Sequence, residues 1–307
     1  MRNMFLWQDP LYIETAMLIL GFLFLILAIV FVSRNKNRHF TAAWASLKSW
    51  LFVGPLLLGA FGLPWPSPLI CLALVGIYAV KKYFQMVGMF HRFWFLWACY
   101  LFIFLLAWCI ESGHTELFSV SPMVFLGVIS LVPLLRNSYK HMIQYMALSL
   151  MAFIFFGWSF MHLGRVFEFE KGVYIVLYIY MLSEFAENTH LAVTRFYGKH
   201  KLFTSISNRF CVEGFFFSIL VTLLLAWGMR HLLPNRSEPY WFTAGIITSV
   251  AGQFGGLLMS TIRRDLGLKN TGLFIIGRGD IIDRMDKLIF VGPIFYYTYF
   301  HMIRAGV

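Results

Sequence analysis

Apolar runs of roughly twenty residues recur along the whole chain with short polar breaks between them, and that is the length a helix needs to cross the hydrocarbon core of a bilayer. The runs fall around 11–33, 44–63, 68–80, 93–110, 118–135, 142–163, 172–193, 212–232, 240–262 and 288–303. The expected fold is therefore all-α, a polytopic membrane bundle of about ten transmembrane helices. The breaks change character along the chain. Up to about residue 165 the loops are short and mostly basic, and after it come two longer loops, about 194–211 and 263–287, that gather nearly all the polar chemistry. We expect residues 1–165 to form the N-terminal transmembrane helices and residues 166–307 a C-terminal region that carries the site.

Composition agrees with a membrane solvent. The 307 residues have a mean hydropathy of +0.73, include 34 Phe and are only 13% charged, a balance that leaves too little polar surface to face water. A cleavable signal peptide is not expected, because MRNMFLWQDP carries one Arg and an acid ahead of a long apolar segment that has no small-residue cleavage site. Basic residues are retained in cytoplasmic loops. With ten spans and the N-terminus outside, eighteen of the 25 Lys and Arg fall on one side and six on the other. That side is read as cytoplasmic, so the net charge of +11 faces anionic headgroups and phosphates rather than nucleic acid. The four cysteines show no zinc spacing and read as packing residues.

Acids are scarcer than bases and their positions discriminate better. Seven of the fourteen, Glu184, Glu187, Glu213, Asp265, Asp280, Asp283 and Asp286, fall at the cytoplasmic ends of the last four spans. Glu184 and Glu187 are three positions apart and project from one helical face, and Asp283 and Asp286 repeat that spacing. An acid in a first helical turn is also favoured by the helix dipole, which would account for Asp283 alone. Two such pairs beside a basic loop exceed what capping requires and match the way Mg²⁺ is usually held, by one or two carboxylates with phosphates nearby. Gly272, Gly277 and Gly279 let backbone N–H groups approach an anion closely, with Arg278 between two of them and a helix N-terminus following.

At this point the residues resemble a known family. The stretch Ser260-x-x-Arg263-Arg264-x4-Lys269-Asn270-x-Gly272-x3-Ile276-Gly277-Arg278-Gly279-Asp280-x-x-Asp283-Arg284-x-Asp286 is similar to the signature of phosphatidate cytidylyltransferases, with matching spacing throughout. A second block, Glu187, then Gly198-Lys199-His200-Lys201-Leu202, Ser207 and Glu213-Gly214, follows that family's order as well. The resemblance covers residues 184–300, while the first 165 share only hydropathy.

The resemblance implies an enzyme that condenses CTP with phosphatidate to CDP-diacylglycerol and pyrophosphate, in a bacterial inner membrane with its site facing the cytoplasm. It implies Asp283, Asp286 and Glu187 as the catalytic acids, and Asp283, Asp286 and Asp280 as Mg²⁺ ligands. It further implies Lys199, Lys201, Ser207, Glu213, Ser260, Arg263, Arg264, Lys269, Arg278 and Arg284 as substrate-binding residues, and leaves a homodimer open. The chain departs from the pattern where metal ligands are concerned: Gly255-Gly256 replaces the family's Gly-Asp, Asn270 replaces an Asp, Phe210-Cys211 a Lys-Thr, and Arg278-Gly279-Asp280 its His-Gly-Gly. The expectation is at most one divalent ion, weakly held, with Asp280 or a basic side chain such as Arg278 in the vacated space. The alternative is a relative without turnover that binds a lipid headgroup or nucleotide, or serves another lipid enzyme as a partner.

Overall fold

The structure, a computed structural model, describes residues 5–33, 51, 53–208, 210–234, 237–268 and 282–306. The chain divides into two compact units, residues 1–71 with 270–281 and residues 72–269 with 282–307. In the first unit a 3-10 turn, Leu6–Gln8, leads into α1 (Pro10–Ser33), and α2 covers 53–61. Proline suits a first helical position because the N–H it lacks would have no helical partner there. The Asp9 carboxylate accepts the N–H of Leu11 at 3.1 Å and so caps α1. Tyr12 donates to the Leu58 carbonyl at 2.6 Å and the Leu6 N–H to that of Gly62 at 3.1 Å, which ties α1 to α2. The Trp7 ring fills the space a side chain at Gly62 would need.

The second unit holds most of α3 (Ser67–Met86), then α4 (Phe93–Ser112), α5 (Thr115–Leu135) and α6 (Met142–Ala152). A π turn, Phe153–Ser159, joins α6 to α7 (Phe160–Val166), and α8 (Gly172–Tyr197), α9 (Val212–Gly228), α10 (Glu238–Asp265), α11 (Ile282–Met285) and α12 (Leu288–Ala305) follow. Among the described residues the only β feature is one isolated antiparallel bridge, Lys201 to Cys211. Next to the π turn, α12 passes so close that a side chain at Gly292 would meet the Ser159 carbonyl at 2.6 Å. One turn further along α12 the Tyr296 hydroxyl accepts from buried Arg165 at 2.7 Å.

Six of the described helices are long and apolar enough to span a bilayer: Pro10–Val32, Ser67–Met86, Phe93–Ser112, Thr115–Leu135, the continuous Met142–Val166, and Glu238–Asp265. The chain is an integral membrane protein. Ten spans were expected. α9 is apolar but only 17 residues long, and α8 gives up hydropathy to Glu184, Glu187 and the polar residues around them. Part of the expected 44–63 span lies outside the described residues.

Four helices of the second unit, α8, α9, α10 and α12, pack on one another and frame the polar residues. Tyr178 of α8 donates to the Ala226 carbonyl of α9 at 2.8 Å, and Gln253 of α10 donates to Ser218 of α9 at 2.5 Å. Between α10 and the turn before α12 the backbones nearly touch. A Cβ at Gly255 would land on the Asp286 carbonyl oxygen, so only glycine permits this approach.

Candidate active site

That approach brings charged groups from three helices together. Glu184 and Glu187 share a face of α8, and Lys287 enters between them from the turn leading into α12. Its Nζ lies 2.6 Å from Glu184 Oε1 and also bonds Glu187 Oε2. The Lys287 and Glu184 side chains are 4% and 6% exposed, while that of Glu187 is 42% exposed and opens the cluster to its surroundings. Arg284 reaches Glu184 Oε2 at 4.0 Å, and Asp283 pairs with Arg263 on α10. Asp286 Oδ1 accepts the Lys287 N–H at 2.7 Å, which holds the turn in shape.

α10 supplies the opposite wall. A Cβ at Gly252 would lie 3.6 Å from the Lys287 Cβ, and Arg263 meets Asp283 three turns later. Gly256 falls between them on the same helical face, four residues from one and seven from the other, with nothing within 4 Å of where its side chain would be. Ser260 continues this face and donates back to the Gly256 carbonyl at 2.8 Å.

Buried charges persist only when paired, and these are paired nearly one for one. Among the described residues Glu184, Glu187, Asp283 and Asp286 stand against Lys287, Arg263 and Arg284, four carboxylates to three cations. Burial pushes the Asp286 carboxyl well above the usual carboxylate range, and the Glu187 charge adds to the effect against the pull of Lys287. Burial alone would depress the Lys287 ammonium, yet the charges of Glu184, Glu187 and Asp286 hold it above an ordinary lysine.

The second sequence block forms a short hairpin beside α9. The Leu202 N–H donates to the Phe210 carbonyl and the Val212 N–H to that of His200, both at 3.0 Å. Glu213 braces it, accepting the His200 N–H at 3.1 Å and lying 2.6 Å from His200 Nδ1. The Cys211 sulfur accepts the Gly214 N–H at 3.1 Å and so caps α9, a role beyond the packing expected of it. Lys199 and Lys201 are exposed, and Ser207 is part-buried with its N–H on the Phe203 carbonyl at 2.8 Å. Arg264 Nε donates to the Ile206 carbonyl at 3.2 Å, linking hairpin to α10. Lys269, Arg278 and Asp280, with the glycine-rich loop, lie outside the described residues.

Behind this linkage runs an open apolar groove of about 800 Å³, lined by Phe203, Ile206, Val250, Phe254, Leu258 and Phe290 among others. Val250, Phe254, Leu258 and Thr261 of α10 line it, while Gly252, Gly256 and Arg263 face the charged cluster. One helix thus has an apolar face and an ionic face.

The geometry joins Glu187, Asp286, Asp283, Arg263 and Arg284 into one neighbourhood and places Lys199, Lys201, Ser207 and Glu213 on the hairpin. Its centre is Lys287, which sequence reasoning counted only as a basic loop residue, with Glu184 beside it. The signal was present: a lysine immediately after an acid and immediately before an apolar helix has to find carboxylates. Mg²⁺ needs oxygen ligands free to coordinate it. Here two carboxylates hold Lys287, one holds Arg263 and one holds a backbone N–H, and among the described residues no group of three His, Cys, Asp or Glu is arranged around an ion. As arranged, the described part of the donor set holds the chain's own cations rather than a divalent metal; Asp280, the third expected Mg²⁺ ligand, lies outside the described residues.

Comparison with known proteins covers this whole region. The profile of the Cytidylyltransferase family matches residues 44–302, which include both the cluster and the hairpin. The chain belongs to the Cytidylyltransferase family. Its curated relatives include the phosphatidate cytidylyltransferase of Staphylococcus aureus (strain COL), 28% identical over 181 residues, 58% of this chain and 67% of that protein. The enzyme of the same name from Staphylococcus haemolyticus (strain JCSC1435) is 28% identical over 183 residues, 59% of this chain and 68% of that one. As a cytidylyltransferase, the protein is a membrane-embedded nucleotidyltransferase of phospholipid biosynthesis, and that chemistry implies CTP as a substrate.

Proposed function

We propose that the protein condenses CTP with phosphatidate, releasing pyrophosphate and leaving CDP-diacylglycerol in the membrane. The observation that carries this reading is the two-faced α10, whose apolar side lines a groove while its other side carries Arg263 into the ionic cluster. An amphiphilic phosphate fits such a wall: acyl chains lie along Phe254 and Leu258, and the headgroup meets the arginines at the helix end. The names of the staphylococcal relatives support the same substrate pair. The positive-inside balance of the loops supports an inner-membrane protein whose site faces the cytoplasm.

In the reaction an oxygen of the lipid phosphate forms a bond to the α-phosphorus of CTP. The bond from that phosphorus to the α,β-bridging oxygen breaks, and pyrophosphate leaves with the electron pair. Such a transfer needs positioning and charge neutralisation more than proton transfer. Arg263 and Arg264 at the end of α10, and Arg284, would grip phosphate oxygens, since a guanidinium braces them bidentately. Lys199 and Lys201, exposed on the hairpin, would gather the anionic substrates from solution and from the lipid surface.

The test is purified protein with labelled CTP and phosphatidate, with and without Mg²⁺, scored for a CDP-lipid. Product that requires both substrates supports the proposal. A second reading, a relative that binds without turnover, is favoured by the engagement of all four carboxylates with groups of the chain itself. Retained CTP binding with no product under either condition would establish it.

A further inference from the structure

We infer that Lys287 is the site's built-in cation: its ammonium occupies the space between Glu184 and Glu187 where a divalent ion would otherwise sit, so the protein holds at most one Mg²⁺, and weakly. The inference rests on reading this cluster as the site, and three features of the cluster carry it.

First, the ammonium is enclosed. It is 4% exposed, donates a hydrogen bond to Glu187 Oε2 and pairs with Glu184 Oε1 at 2.6 Å, two carboxylates of α8, with Asp286 preceding it in the chain. Drawing neighbouring carboxylates together around one positive charge is what a bound cation does in a phosphoryl-transfer site. A lysine delivers one positive charge to that point without coordination geometry, as a compact cation on a flexible stem. Second, the backbone is shaped to bring it there. Gly255 lets α10 lie against the carbonyl of Asp286, the residue just before Lys287. Third, the wall opposite lacks the acid a second ion would need. Gly256 faces the cluster across open space and supplies no side-chain oxygen, while Asp283 is spent on Arg263. The result suits the chemistry, because two bare carboxylates would repel the triphosphate of CTP, and Lys287 offsets one of those two charges before any substrate arrives. Lys287 acts through Glu184 and Glu187, which makes it a positioning residue.

The experiment reads metal binding on the full chain in detergent micelles, so its outcome is independent of whether phosphatidate or any other lipid is turned over. Mn²⁺ is titrated against the unmodified protein and against Lys287→Met and Lys287→Arg, with free Mn²⁺ followed by electron paramagnetic resonance, and unfolding temperatures are recorded with and without Mg²⁺. The unmodified protein and Lys287→Arg are expected to bind Mn²⁺ weakly and to melt at a temperature that Mg²⁺ does not change. Lys287→Met is expected to melt lower in the absence of divalent ions, to regain the loss when Mg²⁺ is added, and to bind Mn²⁺ at least about tenfold more tightly. Adding Glu187→Gln to Lys287→Met should abolish that gain. If Lys287→Met melts lower and Mg²⁺ restores nothing, the lysine is a structural pair only and the inference is wrong. Should Lys287→Met fail to fold, Glu187→Gln in the otherwise unmodified chain decides: unchanged Mn²⁺ affinity supports the built-in cation, and a loss of tight Mn²⁺ binding overturns it.

Discussion

Lys287 donates a hydrogen bond to Glu187 across one hundred positions of sequence, and the same ammonium lies 2.6 Å from Glu184. The two partners are unequal, one buried and one 42% exposed. Breaking a buried pair strands a charge and costs about 3–5 kcal/mol, whereas an exposed pair contributes about 1 kcal/mol or less. Glu184→Gln is therefore expected to lower unfolding stability several-fold more than Glu187→Gln. Thermal unfolding in one detergent, with both variants side by side, checks the order. Equal losses would mean that Glu187 is as closed off as Glu184.

Two adjacent glycines should behave oppositely. Gly255→Ala drives a Cβ into the Asp286 carbonyl and is expected to cost about 1–3 kcal/mol, as overpacking does. Gly256→Asp meets open space, so the protein should fold at nearly normal stability and gain a carboxylate facing the cluster. Its Mg²⁺ affinity should rise, and CDP-lipid formation with it. Stability curves and a Mg²⁺ titration of the pair separate the two effects, and a Gly256→Asp protein as unstable as Gly255→Ala would contradict the geometry.

Asp283→Asn should release Arg263 while leaving packing intact, because the Asp283 side chain is 33% exposed. Folding is expected to change by no more than about 1 kcal/mol. Turnover should fall by about 10²-fold, because Arg263 loses the partner that aims it at the transferring phosphate. Steady-state kinetics beside an unfolding curve reads both, and full activity in Asp283→Asn would remove this residue from the site.

The hairpin lysines should act at a distance. Lys199→Gln with Lys201→Gln is expected to weaken CTP and phosphatidate binding at low salt, and the difference should shrink as ionic strength rises and the Debye length falls to about 8 Å. Binding measured at several salt concentrations checks this. Affinity that is unaffected at low salt would leave these residues as simple membrane-side anchors.

Much of this was legible from the chain because the signals were local. Runs of apolar residues give helices without any knowledge of tertiary structure, and the three-residue spacing of Glu184 with Glu187 gives a shared face on α8. What lay hidden depends on pairing across distance. Nothing near Lys287 in sequence says that its partners are on α8, and nothing in Gly255-Gly256 says that the first glycine touches a backbone while the second faces open space. Cys211 was similarly opaque, since a thiol capping a helix depends on the turn that delivers it and not on its neighbours' identities. The count of spans was blurred for a related reason: α8 is long enough to cross a bilayer, but the acids it contributes to the cluster lower its hydropathy.

A cation that is part of the polypeptide has no dissociation constant. An ion drawn from solution is present only as often as its concentration allows, and a chelator or a starved cell can strip it away. Lys287 is installed once, during folding, and stays at full occupancy for the lifetime of the molecule. The exchange is that a lysine brings one charge and no open coordination position, so whatever further positive charge the transferring phosphate requires has to arrive with the nucleotide or come from the arginines around it.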